Sequence, residues 1–200
     1  MMPARWREGE AAVIGLGRSG VGAALLLARE GVRVYASDGA SGGAAAAGAA
    51  RLAAAGIEAS AGSHDLDRIA RATVVVASPG VPPDAPPLAA ARAAGIPIVS
   101  EIEVALNALE GVRYIAVTGT NGKTTTTALI GHLLRTMGHR VTDAGNIGTP
   151  LTEIALRDEK PEWIALELSS FQLHDTPSVN PAVCVLTNLS PDHLARYATA

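Results

Sequence analysis

Short runs of apolar residues alternate along the chain with segments whose apolar positions recur at the spacing of a helix. Continuous apolar strands separated by helices are typical of parallel sheets with helices on both faces, so the pattern predicts an α/β fold. We predict strands at residues 11–16, 32–37, 57–60, 73–78, 96–99, 114–118, 141–144, 163–168 and 182–188. We predict helices at residues 21–30, 44–55, 88–94, 102–109, 125–137 and 151–157.

The order of these elements predicts two domains. Residues 1–111 read as a series of β–α units, which predicts a Rossmann-like parallel sheet. A new glycine loop follows Gly111, so residues 112–200 predict the first part of a P-loop ATPase-type α/β domain. Since no long linker separates the two halves, we expect them to pack closely.

The most specific motif lies in the second half, where Val-Thr-Gly-Thr-Asn-Gly-Lys-Thr-Thr at residues 117–125 joins a predicted strand to a predicted helix. Glycines let backbone N–H groups approach phosphate oxygens, and the helix N-terminus adds its positive end. The lysine supplies a charge, and the next hydroxyl can bind Mg²⁺. The predicted ATP-binding residues are therefore Gly119, Thr120, Asn121, Gly122, Lys123, Thr124 and Thr125.

Two details bear on this motif. Its glycines are spaced G-x-x-G-K-T, which is shorter than the common phosphate loop, and Val117 stands where that loop has its first glycine. Lys123 and Lys160 are the only lysines among 16 Lys and Arg residues. Although almost all basic residues are arginine, the residue at the position expected to contact phosphate, Lys123, is a lysine. The alternative is a solvated surface lysine at a tight turn.

A second glycine loop follows the first predicted strand. Gly-Leu-Gly-Arg-Ser-Gly at residues 15–20 matches G-x-G-x-x-G, and Asp38 ends the next predicted strand. In a dinucleotide-binding fold such an acid contacts the ribose, so the loop taken alone predicts NAD. The same loop binds other diphosphate ligands, and a purely structural tight turn is a third possibility.

Polar residues also follow three later strands. Asn146 lies in Gly-Asn-Ile-Gly, Glu167 ends an apolar strand, and His193 follows the last predicted strand. We expect Glu167 to lie beside Lys123 and to hold Mg²⁺ directly or through water. His193 could be a metal ligand, a proton carrier or a capping residue. We expect the remaining histidines at the surface, namely His64, His132, His139 and His174.

Composition excludes several other functions. The net charge is −3, aromatic residues make up 3%, and there is no basic run, so we do not expect nucleic-acid binding. The N-terminus lacks a signal-peptide pattern, and no apolar stretch reaches the roughly 20 residues that span a membrane. The single cysteine, Cys184, excludes an internal disulfide, which fits a reducing compartment. We therefore expect a cytoplasmic protein without membrane insertion.

Together these motifs resemble the Mur ligases of peptidoglycan synthesis, and the resemblance runs along nearly the whole chain. The short loop at residues 119–124 is similar to the ATP loop of that family. The remaining motifs resemble the members that add D-glutamate. They are Ser-Pro-Gly at 78–80, Glu-Ile-Glu at 101–103, Gly-Asn-Ile-Gly at 145–148, Glu-Leu-Ser-Ser-Phe-Gln-Leu at 167–173 and Asp-His at 192–193.

The resemblance implies a role for each motif. The first domain would hold the UDP end of UDP-N-acetylmuramoyl-L-alanine, so its glycine loop would bind a UDP-sugar and not NAD. The residues implied there are Gly17, Arg18, Ser19, Asp38, Ser78 and Gly80. The second domain would bind ATP and Mg²⁺. The catalytic residues implied are Lys123, Asn146, Glu167 and His193, and the metal-binding ones are Thr124, Glu167 and His193.

The sequence also departs from the family's pattern. Arg18, Gly39 and Ala40 differ from residues often seen in the family near the UDP end, and Ala195 stands where an aspartate is frequent.

The reaction implied is an ATP-dependent ligation through an acyl phosphate, which the amine of D-glutamate attacks. Members of the family have three domains, whereas these 200 residues end within the second. The resemblance therefore implies that the C-terminal ligase domain is absent from this sequence and that these residues alone do not ligate. It also implies a monomeric full-length protein.

Three alternatives stay open. The first is another ATP-dependent amide ligase of the same superfamily. The second is a non-catalytic module that holds a UDP-sugar or a nucleotide. The third is an NAD-dependent oxidoreductase fused to an NTPase, which Asp38 permits, although no hydride-transfer site is recognisable.

Overall fold

The computed structural model describes residues 2–192 and contains two β-sheets in which every strand pair is parallel. A 3-10 helix, Ala4–Arg7, precedes the first sheet. The strands of that sheet are β1 (Glu10–Ile14), β2 (Arg33–Asp38), β3 (Glu58–Ala61), β4 (Val74–Ala77) and β5 (Ile98–Ser100). Its helices are α1 (Arg18–Arg29), α2 (Gly43–Ala54), α3 (Leu66–Ile69), α4 (Pro86–Ala93) and α5 (Glu101–Ala108).

The second sheet follows α5 along the chain. Its strands are β6 (Arg113–Thr118), β7 (Val141–Gly145), β8 (Trp163–Glu167) and β9 (Val183–Leu186). Its helices are α6 (Lys123–Thr136), α7 (Leu151–Leu156) and α8 (Ser170–His174). The α/β class predicted from the apolar pattern is thereby confirmed, while the division at residue 111 stays a prediction.

Strand order explains where each glycine loop lies. The first sheet has the order β3-β2-β1-β4-β5, so the direction of winding reverses between β1 and β4. Ligands of open α/β sheets bind outside the carboxyl ends of strands at such a reversal. The second sheet has the order β7-β8-β6-β9, and the Lys123 loop leaves its inner strand β6. Both loops therefore open at the carboxyl edge of their sheet.

Alternating burial along β1 shows how the first sheet is covered on both faces. Ala11 and Val13 pack into the larger core cluster, whereas Ala12 and Ile14 pack into a second cluster on the other face. Since successive strand residues point to opposite faces, a strand buried on both sides must be apolar throughout. This is the property that made the strand recognisable in the sequence.

Some short elements were not predicted. The helices α3 and α8 and the 3-10 helix have four or five residues each, which is too short to show a helical period. The predicted helix at 21–30 begins earlier, at Arg18, because the second half of the first glycine loop already forms the first turn of α1.

The edge strand β9 differs from the other strands in its exposure. Val183 and Leu186 are half exposed, and Cys184 is exposed as well. No helix within residues 2–192 combines the length and the apolar character needed to cross a membrane.

The two sheets are connected through α7, which packs against α1 and α5. The Arg29 guanidinium, at the end of α1, donates to the carbonyl oxygens of Ala155 (2.6 Å) and Leu156 (3.0 Å). Carbonyl groups at a helix C-terminus lack partners within their own helix, and a cation there also complements the helix dipole. Arg29 thus caps a helix of the other sheet.

A second set of contacts joins β5 and α5 to the segment that follows β8. The backbone N–H of Ser100 donates to the carbonyl oxygen of Asp175 (2.7 Å), and the Ser100 and Thr176 hydroxyls are 2.6 Å apart. Ser178 donates through its N–H and its hydroxyl to Oε2 of Glu103, at 3.0 and 2.7 Å. These polar contacts, of which the Ser100–Thr176 pair is buried, hold the two sheets in their relative position.

The α1–α7 contact requires a glycine. A Cβ at Gly22 would lie 2.3 Å from Oγ1 of Thr152. We expect Gly22→Ala to lower the free energy of unfolding, because a clash of about 1–3 kcal/mol outweighs the roughly 1 kcal/mol that alanine gains inside a helix. Denaturant titration measures the difference. Thr152→Ala alone should cost little, since Oγ1 has no hydrogen-bond partner among residues 2–192, and it should restore part of the stability lost in Gly22→Ala. A Gly22→Ala variant as stable as the wild type would contradict this packing.

Glu101 makes the interface sensitive to pH. Burial raises the pKa of its carboxyl to about 7, against an ordinary value of 4.5, and the hydrogen bond from Gln172 opposes the rise. The folded state thus holds a proton that the unfolded chain releases, so stability falls as the pH rises from about 4.5 to about 7.

We expect the wild type to lose about 2–3 kcal/mol relative to Glu101→Gln between pH 5 and pH 8. Glutamine keeps an oxygen that can accept from Gln172, and the comparison cancels every other titrating group. Urea unfolding at several pH values measures the difference. A gap between the two proteins that stays constant with pH would contradict the buried proton.

Candidate functional site

The Lys123 loop lies between β6 and α6. Gly122 has a φ of +81° and directly precedes α6, where it offers no side-chain cap. The first N–H groups of α6 and the positive end of its dipole therefore remain available to an anion. Nζ of Lys123 donates to the carbonyl oxygens of Gly119 (2.7 Å) and Thr120 (2.9 Å). The loop thus combines a free helix N-terminus with an ammonium group held at its centre.

Glu167, at the end of β8, brings three of the predicted residues together. Its side chain is only 1% exposed. The Thr124 hydroxyl donates to Oε2 at 2.9 Å, and the Asn146 amide donates to Oε1 at 2.8 Å. The backbone N–H of Asn146 also donates to the Glu167 carbonyl oxygen at 2.9 Å. The carboxylate therefore connects the Lys123 loop to the turn after β7.

Thr187 and Asn188, which directly follow β9, pack against the Lys123 loop, and neither was assigned a role from the sequence. Oδ1 of Asn188 accepts from the N–H of Asn121 (3.0 Å), and its Nδ2 donates to the Asn121 carbonyl oxygen (2.9 Å). A Cβ at Gly119 would lie 2.2 Å from Oγ1 of Thr187, so only glycine fits there. The signal in the sequence was the position of these polar residues just past an apolar strand.

The donor set at Glu167 fits a magnesium ion that arrives with a nucleotide. A hydroxyl and a carboxylate lie 2.9 Å apart beside the loop, and both are hard oxygen ligands. In nucleotide sites Mg²⁺ takes one or two protein oxygens and completes its shell with water and phosphate. Within residues 2–192, no group of three or more His, Cys, Asp or Glu side chains could hold a metal. The predicted ligand His193 lies outside the described residues.

A cavity of about 570 Å³ opens at the carboxyl ends of β1 and β4, at the reversal of strand order. Its wall contains all six residues predicted for the UDP end, namely Gly17, Arg18, Ser19, Asp38, Ser78 and Gly80. Their roles stay a prediction, but the structure brings them together around one volume.

The first glycine loop and Asp38 shape this cavity. A Cβ at Gly20 would lie 1.8 Å from the Gly15 carbonyl oxygen, so glycine alone lets α1 start so close to β1. Oδ2 of Asp38 accepts from the N–H of Leu16 at 2.8 Å, and Oδ1 accepts from the N–H of Ala40 at 2.9 Å. Asp38 therefore holds two loops of the cavity in place.

Arg18 lines the cavity and also crosses to the second sheet. Its Nε and Nη2 donate to the Glu153 carboxylate at 3.2 and 3.1 Å. The side chain is 68% exposed, so the ion pair adds little stability by itself. Its interest lies in its position, because it connects the mouth of the cavity to α7.

The prediction that His64 lies at the surface is wrong. The ring is half-buried in the cavity wall, and its Nδ1 lies 2.9 Å from the hydroxyl of buried Ser37. His132 and His174 are exposed as predicted, while His139 is half-buried beside Glu162. His64 follows β3 without any motif around it, so only the fold could place it here.

The motif at residues 167–173 connects the two regions. Glu167 contacts the Lys123 loop, and five residues later the buried Gln172 donates to Oε1 of Glu101 at 2.9 Å. Phe171 and Gln172 line a small cavity of about 20 Å³ together with Ser78, which also lines the large one. Residues 167–173 thus extend from the Lys123 loop to the wall of the large cavity at β1 and β4.

Comparison with known sequences identifies the family. The N-terminal domain of MurD-like Mur ligases matches residues 9–100, and the Mur ligase middle domain matches residues 117–200. The chain belongs to the Mur ligase family, as the resemblance predicted.

Two curated relatives show which members of the Mur ligase family this chain is similar to. A UDP-N-acetylmuramoylalanine–D-glutamate ligase from Gloeobacter violaceus is 46% identical over 188 residues, which cover 94% of this chain and 43% of that protein. The ligase of the same name from Acidobacterium capsulatum is 44% identical over 189 residues, which cover 94% and 40%. The chain spans about two fifths of the length of these curated relatives.

A solved structure shows the same fold. The UDP-N-acetylmuramate–alanine ligase from Thermotoga maritima superimposes with a TM-score of 0.56 at 27% identity. The superposition covers 96% of this chain and 44% of that one. The two parallel sheets therefore have the architecture of a Mur ligase of known structure.

Proposed function

We propose that these residues form the UDP-substrate-binding and ATP-binding part of a ligase that adds D-glutamate to UDP-N-acetylmuramoyl-L-alanine in peptidoglycan synthesis. The relatives named for that reaction support the proposal. The observation that carries it is the segment at residues 167–173, which connects a phosphate-type loop to a separate cavity suited to a diphosphate. A reaction between a nucleotide and a second bound substrate requires the two sites to be held in a fixed relative position. Such a reaction belongs in the cytoplasm, and the full-length protein would act as a monomer.

On the ATP side, Lys123 and the N-terminus of α6 bind the β and γ phosphates. Nucleotide binding draws Nζ from the carbonyl oxygens of Gly119 and Thr120 to phosphate oxygens, which exchanges neutral acceptors for charged ones. Thr124 and Glu167 would hold Mg²⁺, which would supply charge that neutralises the phosphates. Asn146 and His193 act near the reacting carboxylate and the metal.

On the substrate side, the first glycine loop binds the diphosphate of the UDP-sugar. The N–H groups of Gly17, Arg18 and Ser19 lie at the start of α1, where an anion is favoured. Asp38 lies toward the nucleoside, and its two oxygens already hold the surrounding loops. Ser78 and Gly80 form the opposite wall, next to the segment that leads to Glu167.

The chemistry explains why cations are needed. A carboxylate is a poor electrophile, so the γ-phosphoryl group of ATP moves to the L-alanine carboxylate and gives an acyl phosphate and ADP. The amine of D-glutamate then attacks the acyl carbon, and the tetrahedral intermediate collapses to an amide and phosphate. Two anions meet in the first step, so the residues act by positioning and by neutralising charge. Lys123 supplies this charge from the protein.

We expect the 200 residues alone to bind both ligands without completing the ligation, because they correspond to about two fifths of the relatives' length. Incubating the purified chain with UDP-N-acetylmuramoyl-L-alanine, ATP, Mg²⁺ and D-glutamate tests this expectation. D-glutamate-dependent release of ADP would contradict it. The relatives' activity belongs to longer proteins, so a negative result does not touch the two binding sites.

Calorimetric titration tests the two-site proposal itself. The chain should bind UDP-N-acetylmuramoyl-L-alanine saturably and should not bind NAD. Lys123→Ala should weaken Mg²⁺-ATP binding by about 10- to 100-fold, because it removes a charged hydrogen-bond donor, and should spare the UDP-sugar. Lys160→Ala is the matched control, since Lys160 donates to carbonyl oxygens of Ala155 and Arg157 at the end of α7. Binding of NAD alone, or equal loss of both ligands in folded Lys123→Ala, would contradict the assignment.

A further inference from the structure

The carboxyl edge of the first sheet presents its polar groups in a fixed order. The glycine loop follows β1, Asp38 ends β2, and His64 follows β3, while the strands lie side by side as β1, β2 and β3. A ligand whose diphosphate lies at the glycine loop and whose ribose lies near Asp38 extends toward β3. His64 is therefore at the end of the cavity where the base of a nucleotide lies.

The orientation of the His64 ring is set by Ser37. The Ser37 side chain is fully buried, and within residues 2–192 its hydroxyl has one partner, Nδ1 of His64 at 2.9 Å. A buried hydroxyl donates its hydrogen when an acceptor is in reach. Nδ1 is then the acceptor, so the network assigns the ring proton to Nε2.

Nε2 is directed to the space above Gly39. A Cβ at Gly39 would lie 3.4 Å from Nε2, and both residues line the large cavity. No residue in the described part of the chain hydrogen-bonds to Nε2. Because Gly39 has no side chain, the N–H edge of the His64 imidazole forms this part of the cavity wall.

The ring is held in its neutral form. Burial lowers the pKa of His64, and the Asp38 carboxylate opposes this only in part. Near neutral pH the cavity therefore contains a neutral N–H donor, fixed in direction, at its nucleoside end. Such a donor fits a carbonyl oxygen. Uracil has two carbonyl oxygens and adenine has none.

We infer that His64 is a specificity residue of the first-domain cavity, whose Nε2–H donates to a carbonyl oxygen of the uracil base. This inference rests on the proposed function and adds to it a reason why the cavity selects a uridine nucleotide over NAD. The glycine loop and Asp38 bind the diphosphate and the ribose, which nucleotides with different bases share. His64 contacts the base.

Titration with UDP and with UDP-N-acetylmuramoyl-L-alanine tests the contact. His64→Ala should weaken both by about 3- to 10-fold, the loss expected for one neutral hydrogen bond. His64→Gln retains an N–H donor of similar reach and should recover most of the affinity. The matched control is His132→Ala, since His132 is exposed on α6 away from the cavity, and it should change neither ligand's affinity.

A spectroscopic measurement separates contact with the base from a structural role. Long-range ¹H–¹⁵N spectra of the histidine-labelled chain should show His64 as the Nε2–H tautomer, identified by its absence in His64→Gln. Uridine alone should shift the Nε2 resonance, and inorganic diphosphate should leave it unchanged.

Each outcome bears on the inference. If the wild type binds UDP but His64→Ala binds it equally well, or if diphosphate moves the Nε2 resonance and uridine does not, the assignment to the base is wrong while the proposed function stands. If the folded wild type binds no uridine nucleotide, the proposed function of the first domain fails, and the inference fails with it.

Discussion

The buried carboxylate of Glu167 is the interaction on which the rest of the site depends. Taking an ionised carboxylate out of water costs several kcal/mol unless hydrogen bonds replace the lost solvation. Here Thr124 and Asn146 supply one donor to each oxygen. One donor belongs to the Lys123 loop after β6 and the other to the turn after β7. The two hydrogen bonds therefore hold the ends of β6, β7 and β8 relative to each other. The position of the Lys123 loop relative to β7 and β8 therefore depends on the two hydrogen bonds that the Glu167 carboxylate accepts.

The chain that leaves Glu167 extends this constraint to the first sheet. Gln172 is held by the Ser169 backbone N–H and hydroxyl, both at 3.1 Å from its Oε1, and it donates in turn to Glu101. Within seven residues the chain passes from the Thr124–Glu167 oxygen pair to a buried contact between the sheets. A segment of this kind has to satisfy chemistry at one end and packing at the other. This double requirement restricts the residue types that residues 167–173 can contain.

The fold was predictable where local sequence and tertiary position agree. Strands such as β1 are buried on both faces, so their apolar character is visible without knowledge of the neighbours. Both glycine loops were predictable because a strand, a glycine turn and a helix follow each other directly. Glu167 was expected beside the Lys123 loop because parallel strands end at one edge of the sheet, and the structure adds its hydrogen bond from Thr124.

Features that depend on distant parts of the chain were not visible in the sequence. The Arg18–Glu153 pair joins residues 135 positions apart, and no local pattern indicates it. His64 was wrongly expected at the surface, because its contact with Ser37 on β2 depends on the fold and not on the residues around it. Asp38 was predicted as a ligand contact, and its part in holding the two loops became clear only from the backbone around it.

The contact through α7 has a consequence for cooperativity. One continuous cluster of buried side chains contains Val13 and Leu26 from the first sheet and its helices, and also Ile154 and Leu166 from the second. Neither sheet can therefore lose its packing without exposing apolar surface of the other, and polar contacts such as that of Arg29 break at the same time. We therefore expect the two sheets, which are separate in sequence, to unfold together in one cooperative transition.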